Sequence, residues 1–270
     1  MTATYQLAHS APARRKVIGP VARLGLTARG FIYLLIGVLA FLVAIGHSNA
    51  ETDQWGAMQQ LNRGTAGHAV LWVVAAGLAG YSLWRLSEAV FGAVGETGKA
   101  GPRLKSFFRA CVYAFIAATA FEIALGRRSQ SQAGRQQNLS DKVMHHAGGR
   151  IAVGLVGAVV VVVGLALMYE GLRRKFERYL DLSPLTPTSA RAVRYLGVVG
   201  TTVRGAVFAF AGGLVIQAAW DYQPKKAAGL DGALRALRDT AAGPFVLGAA
   251  AAGLVAFGLY GFAEARWRRT

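Results

Sequence analysis

The stretch "TARGFIYLLIGVLAFLVAIG", Thr27 to Gly46, sets an arginine at the mouth of an almost uninterrupted apolar run. A helix that crosses a bilayer needs about 20 largely apolar residues, and this run supplies them. Working outward, five more stretches qualify, so that the candidate spans are roughly 26–46, 67–87, 107–126, 149–169, 201–220 and 243–263. Hydrophobic residues make up 54% of the chain, charged residues only 16%, and glycine reaches 34 of 270, a membrane profile rather than that of a soluble domain. The fold class expected is therefore all-α, a polytopic membrane protein. "HSNA", His47 to Ala50, imitates a signal-peptide cleavage pattern, but the apolar run before it is too long and its basic leader too extended for one.

A formal charge of +17 would suggest nucleic acid in a soluble protein. Here the basic residues collect in short loops between apolar runs, where they orient helices. Of the 30 Lys and Arg, 20 fall on the side holding both termini and the 85–109 and 173–204 connections, and 10 on the other. That bias predicts cytoplasmic termini, although the middle external loop, with Arg127, Arg128, Arg135, Lys142 and Arg150, runs against it. The single cysteine, Cys111, excludes an internal disulfide and any zinc site built on paired cysteines.

The opening arginine is one of three. Arg29-Gly30-Phe31-Ile32-Tyr33 recurs as Arg109-Ala110-Cys111-Val112-Tyr113 and as Arg204-Gly205-Ala206-Val207-Phe208. A second mark keeps register with it: Gly67, Gly149 and Gly243 are each followed 21 positions later by Glu88, Glu170 and Glu264. Distances from arginine to glycine are 38, 40 and 39 residues. Two independent marks kept three times define tandem repeats, bounded as a tail at 1–20 and repeats at 21–92, 103–180 and 194–267. Between the paired spans, "GAMQQL" at 56–61 and "GALRAL" at 232–237 alternate apolar and polar residues at helical spacing. Each external connection is expected to hold a short amphipathic helix at the membrane surface.

On these marks, the "ARGFIY" opening at 28–33 and the two loop elements, the chain resembles a family of uncharacterised bacterial six-span membrane proteins. That family is a domain of unknown function present in three tandem copies. The resemblance covers about residues 20–267, and the middle copy departs most, with Ala110 and Cys111 where the first has Gly30 and Phe31. It implies an architecture and a bacterial inner membrane, and carries no activity.

Because the three pairs run alike, Arg29, Arg109 and Arg204 open helices at the same face where Glu88, Glu170 and Glu264 close them. A charge at the centre of a span costs about 2.5–3.5 kcal/mol on insertion scales and less near the interface. Pairing lowers that cost, so a ring of three structural Arg–Glu pairs is the expectation, with an ion or proton path as the alternative; the partners are left open. Glu122, inside the third span, is an intramembrane carboxyl whose repeat equivalents are Leu42 and Gln217. Such a group is a transport or binding candidate by default, unless it pairs locally with Arg127 or Arg128. His47, His68, His145 and His146 lie in or beside external connections without metal-ligand spacing, so no metal and no cofactor is expected. Small-residue stripes at Ala110, Ala114, Ala118 and at Gly205, Ala209, Gly213 suggest close helix contact.

No catalytic motif is present in the sequence. The leading expectation is a non-enzymatic scaffold or accessory subunit, its partners the lipid bilayer and another membrane protein, with nucleic acid excluded. The alternatives are a small transporter or channel, disfavoured by repeats that all run the same way, and a lipid-binding or lipid-modifying protein.

Overall fold

In this computed structural model the described residues are 2–48, 50–92, 100–127, 131–146, 148–223, 227, 229–240 and 242–268, with side chains described from residue 19 onward. The helices among them are α1 (Thr2–Ala44), α2 (Gln54–Leu61), α3 (Thr65–Phe91), α4 (Ala100–Ala124), α5 (Gln132–Met144), α6 (Gly149–Leu172), α7 (Pro187–Trp220), α8 (Gly229–Arg238) and α9 (Gly243–Trp267). A turn of 3-10 helix, Lys175–Tyr179, follows α6. Six of these are long and apolar enough to span: α3, α4, α6, α7, α9 and the Gly19–Ala44 portion of α1. The protein is a multi-pass membrane protein. The helix of the first span runs back to Thr2, through the stretch read from the sequence as a tail.

Polar caps start the helices where the apolar pattern begins. Asp53 accepts from Gly56 N at 2.9 Å to open α2, Ser131 accepts from Gly134 N to open α5, and Thr186 followed by Pro187 opens α7. The connecting helices α2, α5 and α8 all lie at the end of the bundle away from the termini. α2 and α8 do more than rest on a membrane surface. Ala57 and Met58 of α2, and Ala233 and Leu234 of α8, are fully buried in the main core and close that end of the bundle.

The spans pack in the order α4, α3, α1, α9, α7, α6. Between repeats, α9 meets α1 and α6 meets α7 along their lengths through glycine. A Cβ added at Gly164 would lie 2.4 Å from Ala209 N, and one at Gly258 would lie 2.6 Å from Leu34 N. Without lipid-excluded apolar surface to drive association, such close backbone approach supplies the dispersion energy. Gly205 and Ala209 of the third repeat thus serve as the stripe they suggested, but Gly213 has nothing near it. The second stripe is corrected: Ala114 and Ala118 are exposed, and α4 packs instead through Ala110, Tyr113, Ala117 and Ala120.

Within repeats, α1 packs on α3 and α7 on α9, whereas α4 and α6 of the middle repeat stand apart. The connecting helices give a reason. α5 has 13 residues against eight in α2 and ten in α8; at 1.5 Å per residue it bridges about 20 Å where the others bridge about 12 and 15 Å. The ring is therefore a C, open between α4 and α6.

Candidate functional site: a basic cavity at the terminal face

All six repeat-marking charges line a single cavity of about 410 Å³ at the end of the bundle that holds the termini. Each repeat contributes one arginine and one glutamate to it, as the shared register requires. The pairing differs from a threefold ring. Arg29 of α1 binds Glu264 of α9 at 2.5 Å, an inter-repeat pair whose side chains are both 8% exposed. The same carboxylate also holds Arg268, the residue that follows α9. Glu88 takes Arg85 of its own helix at 2.7 Å and accepts from Ser106 Oγ at 3.2 Å. Glu170 takes Lys105.

Arg204 and Arg109 are the corrections to that expected ring, since neither pairs with a carboxylate among the described residues. Arg204 donates from Nε to the Tyr33 hydroxyl at 3.0 Å, and its guanidinium lies over the rings of Tyr33, Phe208 and Phe257. Arg109 makes no hydrogen bond, ion pair or ring contact among the described residues, although it lies with Arg85 and Arg204 on the same cavity wall. The physical reason is competition: Arg85, Lys105 and Arg268 reach the carboxylates first, two of them from within a turn of the same helix.

Aromatic hydroxyls knit the wall together. The Tyr81 hydroxyl accepts from Arg85 Nε at 3.0 Å and from Arg29 Nη1 at 3.3 Å. The floor is chain that the sequence pattern did not place. After α6, the 3-10 turn folds back beneath the bundle, with Phe176 edge-on to Tyr260 at 5.2 Å and Asp181 N donating to Trp267 O at 2.7 Å. Lys175 and Arg178 of this segment join the lining. Among the described residues eight Lys or Arg side chains line the cavity with three carboxylates. Of those missed from the sequence, Arg85 and Arg268 carried a signal, their three- and four-residue spacing from a repeat glutamate. Lys175 and Arg178 carried none beyond the apolar Phe176 set among basic residues.

At the opposite end the sequence candidates stay separate. Glu122 pairs with Arg135 of α5 at 3.3 Å and not with Arg127, while Arg128 lies outside the described residues; the Glu122 side chain is 45% exposed. Gln217 is exposed on α7, and no hydrogen bond joins it to Glu122 among the described residues. His68 bonds Asn62 and Trp72, whereas His145 and His146 bond backbone carbonyls one turn back. Among the described residues no three His, Cys, Asp or Glu side chains converge as metal ligands. The same end does hold a buried acidic latch between repeats. Asp231 of α8 accepts from Thr52 N at 2.7 Å and Thr52 Oγ1 at 3.0 Å while Arg235 pairs with it. Burial, with Glu51 and Asp231 nearby, pushes the adjacent Asp53 carboxyl up to about 7.

A family model described as Domain of Unknown Function (DUF1206) matches the chain three times in tandem, over residues 24–92, 104–174 and 199–268. The chain belongs to the DUF1206 family. Each DUF1206 copy coincides with one pair of spans and delivers one Arg and one Glu to the cavity: Arg29 and Glu88, Arg109 and Glu170, Arg204 and Glu264. The chain is 31% identical over 241 residues to "Uncharacterized protein YxxB" of Bacillus subtilis (strain 168), an alignment covering 88% of this chain and 86% of the relative. No solved structure matches this DUF1206 chain.

Proposed function

We propose that this DUF1206 protein is a non-enzymatic protein of a bacterial inner membrane that binds an anionic group in the cavity enclosed by its three repeats, with that cavity and both termini cytoplasmic. One observation carries the reading: among the described residues the cavity lining holds more cations than carboxylates, and Arg109 makes no hydrogen bond or ion pair there. A guanidinium withdrawn from bulk water without a partner is costly. An incoming anion offsets that cost with charge-assisted hydrogen bonds, the stronger kind. The 20-to-10 bias of Lys and Arg toward the terminal face supports the orientation.

Of the three readings drawn from the sequence, a scaffold needs only surface, a transporter needs a path and a binding protein needs a built site. The cavity is a built site. Transport through Glu122 gains no comparable support, because that residue lies 13 positions along α4 from Arg109, about 20 Å away, in a solvent-reachable pair.

The test is the thermal stability of the full chain in neutral detergent against a panel of anions, from inorganic phosphate to short-chain anionic lipid, at constant ionic strength. A saturable rise that Arg109→Gln weakens is expected. If no anion in the panel stabilises the protein, or all act equally on Arg109→Gln, the reading fails.

A further inference from the structure

The basic cavity is lined by both α4 and α6, the two spans that stand apart, and toward the far end a second, largely apolar space lies between α6 and α7 and is closed by residues of α5 and α8. Along α6, Glu170 and Leu167 line the basic cavity, and Val160, Val156 and Val153 then line a second space of about 460 Å³. Along α7, Arg204 lines the first and Phe208, one turn on, lines the second; the Arg204 guanidinium lies 5.1 Å from the Phe208 ring centroid. The two spaces follow one another down one wall, basic at the terminal face and apolar beyond.

We infer that this slot takes one anionic phospholipid, which enters sideways from the membrane between α4 and α6. Its phosphate meets Arg109, Arg204 and Lys105, and an acyl chain runs past Leu167 to meet the second space at Val160. The inference rests on the anion-binding reading above and names the class of ligand.

Four observations favour a lipid over a soluble anion. First, an apolar space offers a soluble anion no contact, whereas an acyl chain fills it with dispersion contacts along its length. Second, the reach fits: from Glu170 to Val160 is 10 residues, about 15 Å of helix, the depth of half the hydrocarbon core at roughly 15 Å, so a chain from the terminal face meets the second space at its near edge. Third, the polarity matches a lipid lying in the leaflet of the terminal face, headgroup at the interface and chain toward the midplane. Entry through the side therefore requires no inversion. Basic pockets between spans at the cytoplasmic side are a recurring way to hold anionic headgroups. Fourth, the ion pair between Lys105 and Glu170 crosses the mouth, joining α4 to α6 where the helices do not pack. Lys105 is half exposed there, so an arriving phosphate can take over its ammonium from Glu170.

The experiment titrates the full chain in neutral detergent with long-chain phosphatidic acid, with phosphatidylcholine of the same chain length, and with glycerol 3-phosphate, reading affinity from thermal stability. Phosphatidic acid should bind at least about tenfold more tightly than either of the others, tenfold being the worth of one charge-assisted hydrogen bond. Arg109→Gln should remove most of that advantage. Arg109 makes no hydrogen bond or ion pair among the described residues, so the variant is expected to fold, and Lys105→Gln provides an independent test of the same charge requirement. Val160→Trp, which fills the near edge of the second space, should lower the affinity for phosphatidic acid relative to glycerol 3-phosphate. Should glycerol 3-phosphate match phosphatidic acid, with both sensitive to Arg109, the anion site stands and the lipid inference falls. Equal binding of phosphatidylcholine and phosphatidic acid overturns the requirement for an anionic lipid. Absence of any Arg109-dependent binding overturns both readings together.

Discussion

Removing the charge of Arg29 tests the organisation of the cavity most directly, because the structure assigns it one carboxylate out of three that end at the same face. Arg29 and Glu264 are both nearly excluded from solvent and lie 2.5 Å apart. Breaking a buried pair from one side typically costs about 3–5 kcal/mol, since the surviving charge is stranded. The two sides are not equivalent here. Arg29→Gln leaves Glu264 with Arg268 still bound, whereas Glu264→Gln strands two guanidiniums. The first should therefore fall near about 3 kcal/mol and the second near about 5. At about 2–4 °C of melting temperature per kcal/mol for a chain of this size, Arg29→Gln corresponds to a drop of roughly 6–12 °C. Intrinsic-fluorescence melting of the detergent-solubilised protein reads it. The double variant Arg29→Gln/Glu264→Gln should cost well below the sum of the singles. Combination with Glu170→Gln, whose partner is Lys105, should be additive within about 0.5 kcal/mol. Glu88 is joined to Arg29 only through Arg85 and the Tyr81 hydroxyl, so its coupling should be smaller than that of Glu264. A larger coupling to Glu88 or Glu170, or additivity everywhere, would refute the assigned pair.

Asp53 should make stability depend on pH: its folded-state pKa of about 7 lies above the ordinary 3.8, so the stability it contributes is complete below 3.8 and lost as pH rises through 7. The span amounts to about 4 kcal/mol at most; Asp53→Asn, which retains a capping side chain, should flatten the melting temperature between pH 5 and 8, and an unchanged slope would count against the latch. Gly164→Ala forces a methyl group onto Ala209 N and should cost about 1–3 kcal/mol, while Gly213→Ala, with open space around it in mid-helix, should gain up to about 1 kcal/mol; similar effects at both positions would deny the α6–α7 approach. In a Cys111→Ser background, a cysteine at exposed Leu139 should be labelled by an impermeant reagent in intact cells and one at Ser183 should not, and the reverse pattern would invert the proposed orientation.

Span number and repeat register were legible because both are carried by local pattern: apolar length, and an arginine and a glutamate recurring at fixed spacing. That register was enough to bring all six charges to one cavity. Their partners were not legible, since pairing depends on ring order. Arg29 meets Glu264 because α1 packs on α9, an adjacency that neither helix encodes alone. Local competition decided the rest, with Arg85 one turn from Glu88 and Lys105 one turn before Arg109. Glu122 went to Arg135 because α5 folds back over the end of α4, a three-dimensional return that spacing along the chain does not announce.

The splayed middle pair shows what fusing three copies into one chain makes available. In a trimer of separate two-helix subunits, identical sequences would impose identical interfaces, so every pair would close or every pair would gape. Covalent linkage releases the copies from that rule. Two of them can keep the close contacts that hold the assembly together, and the third can drift, lengthening its connecting helix until its walls part. Broken symmetry thus creates a single doorway and gives the molecule one orientation about its own axis, which no threefold array of equals could possess.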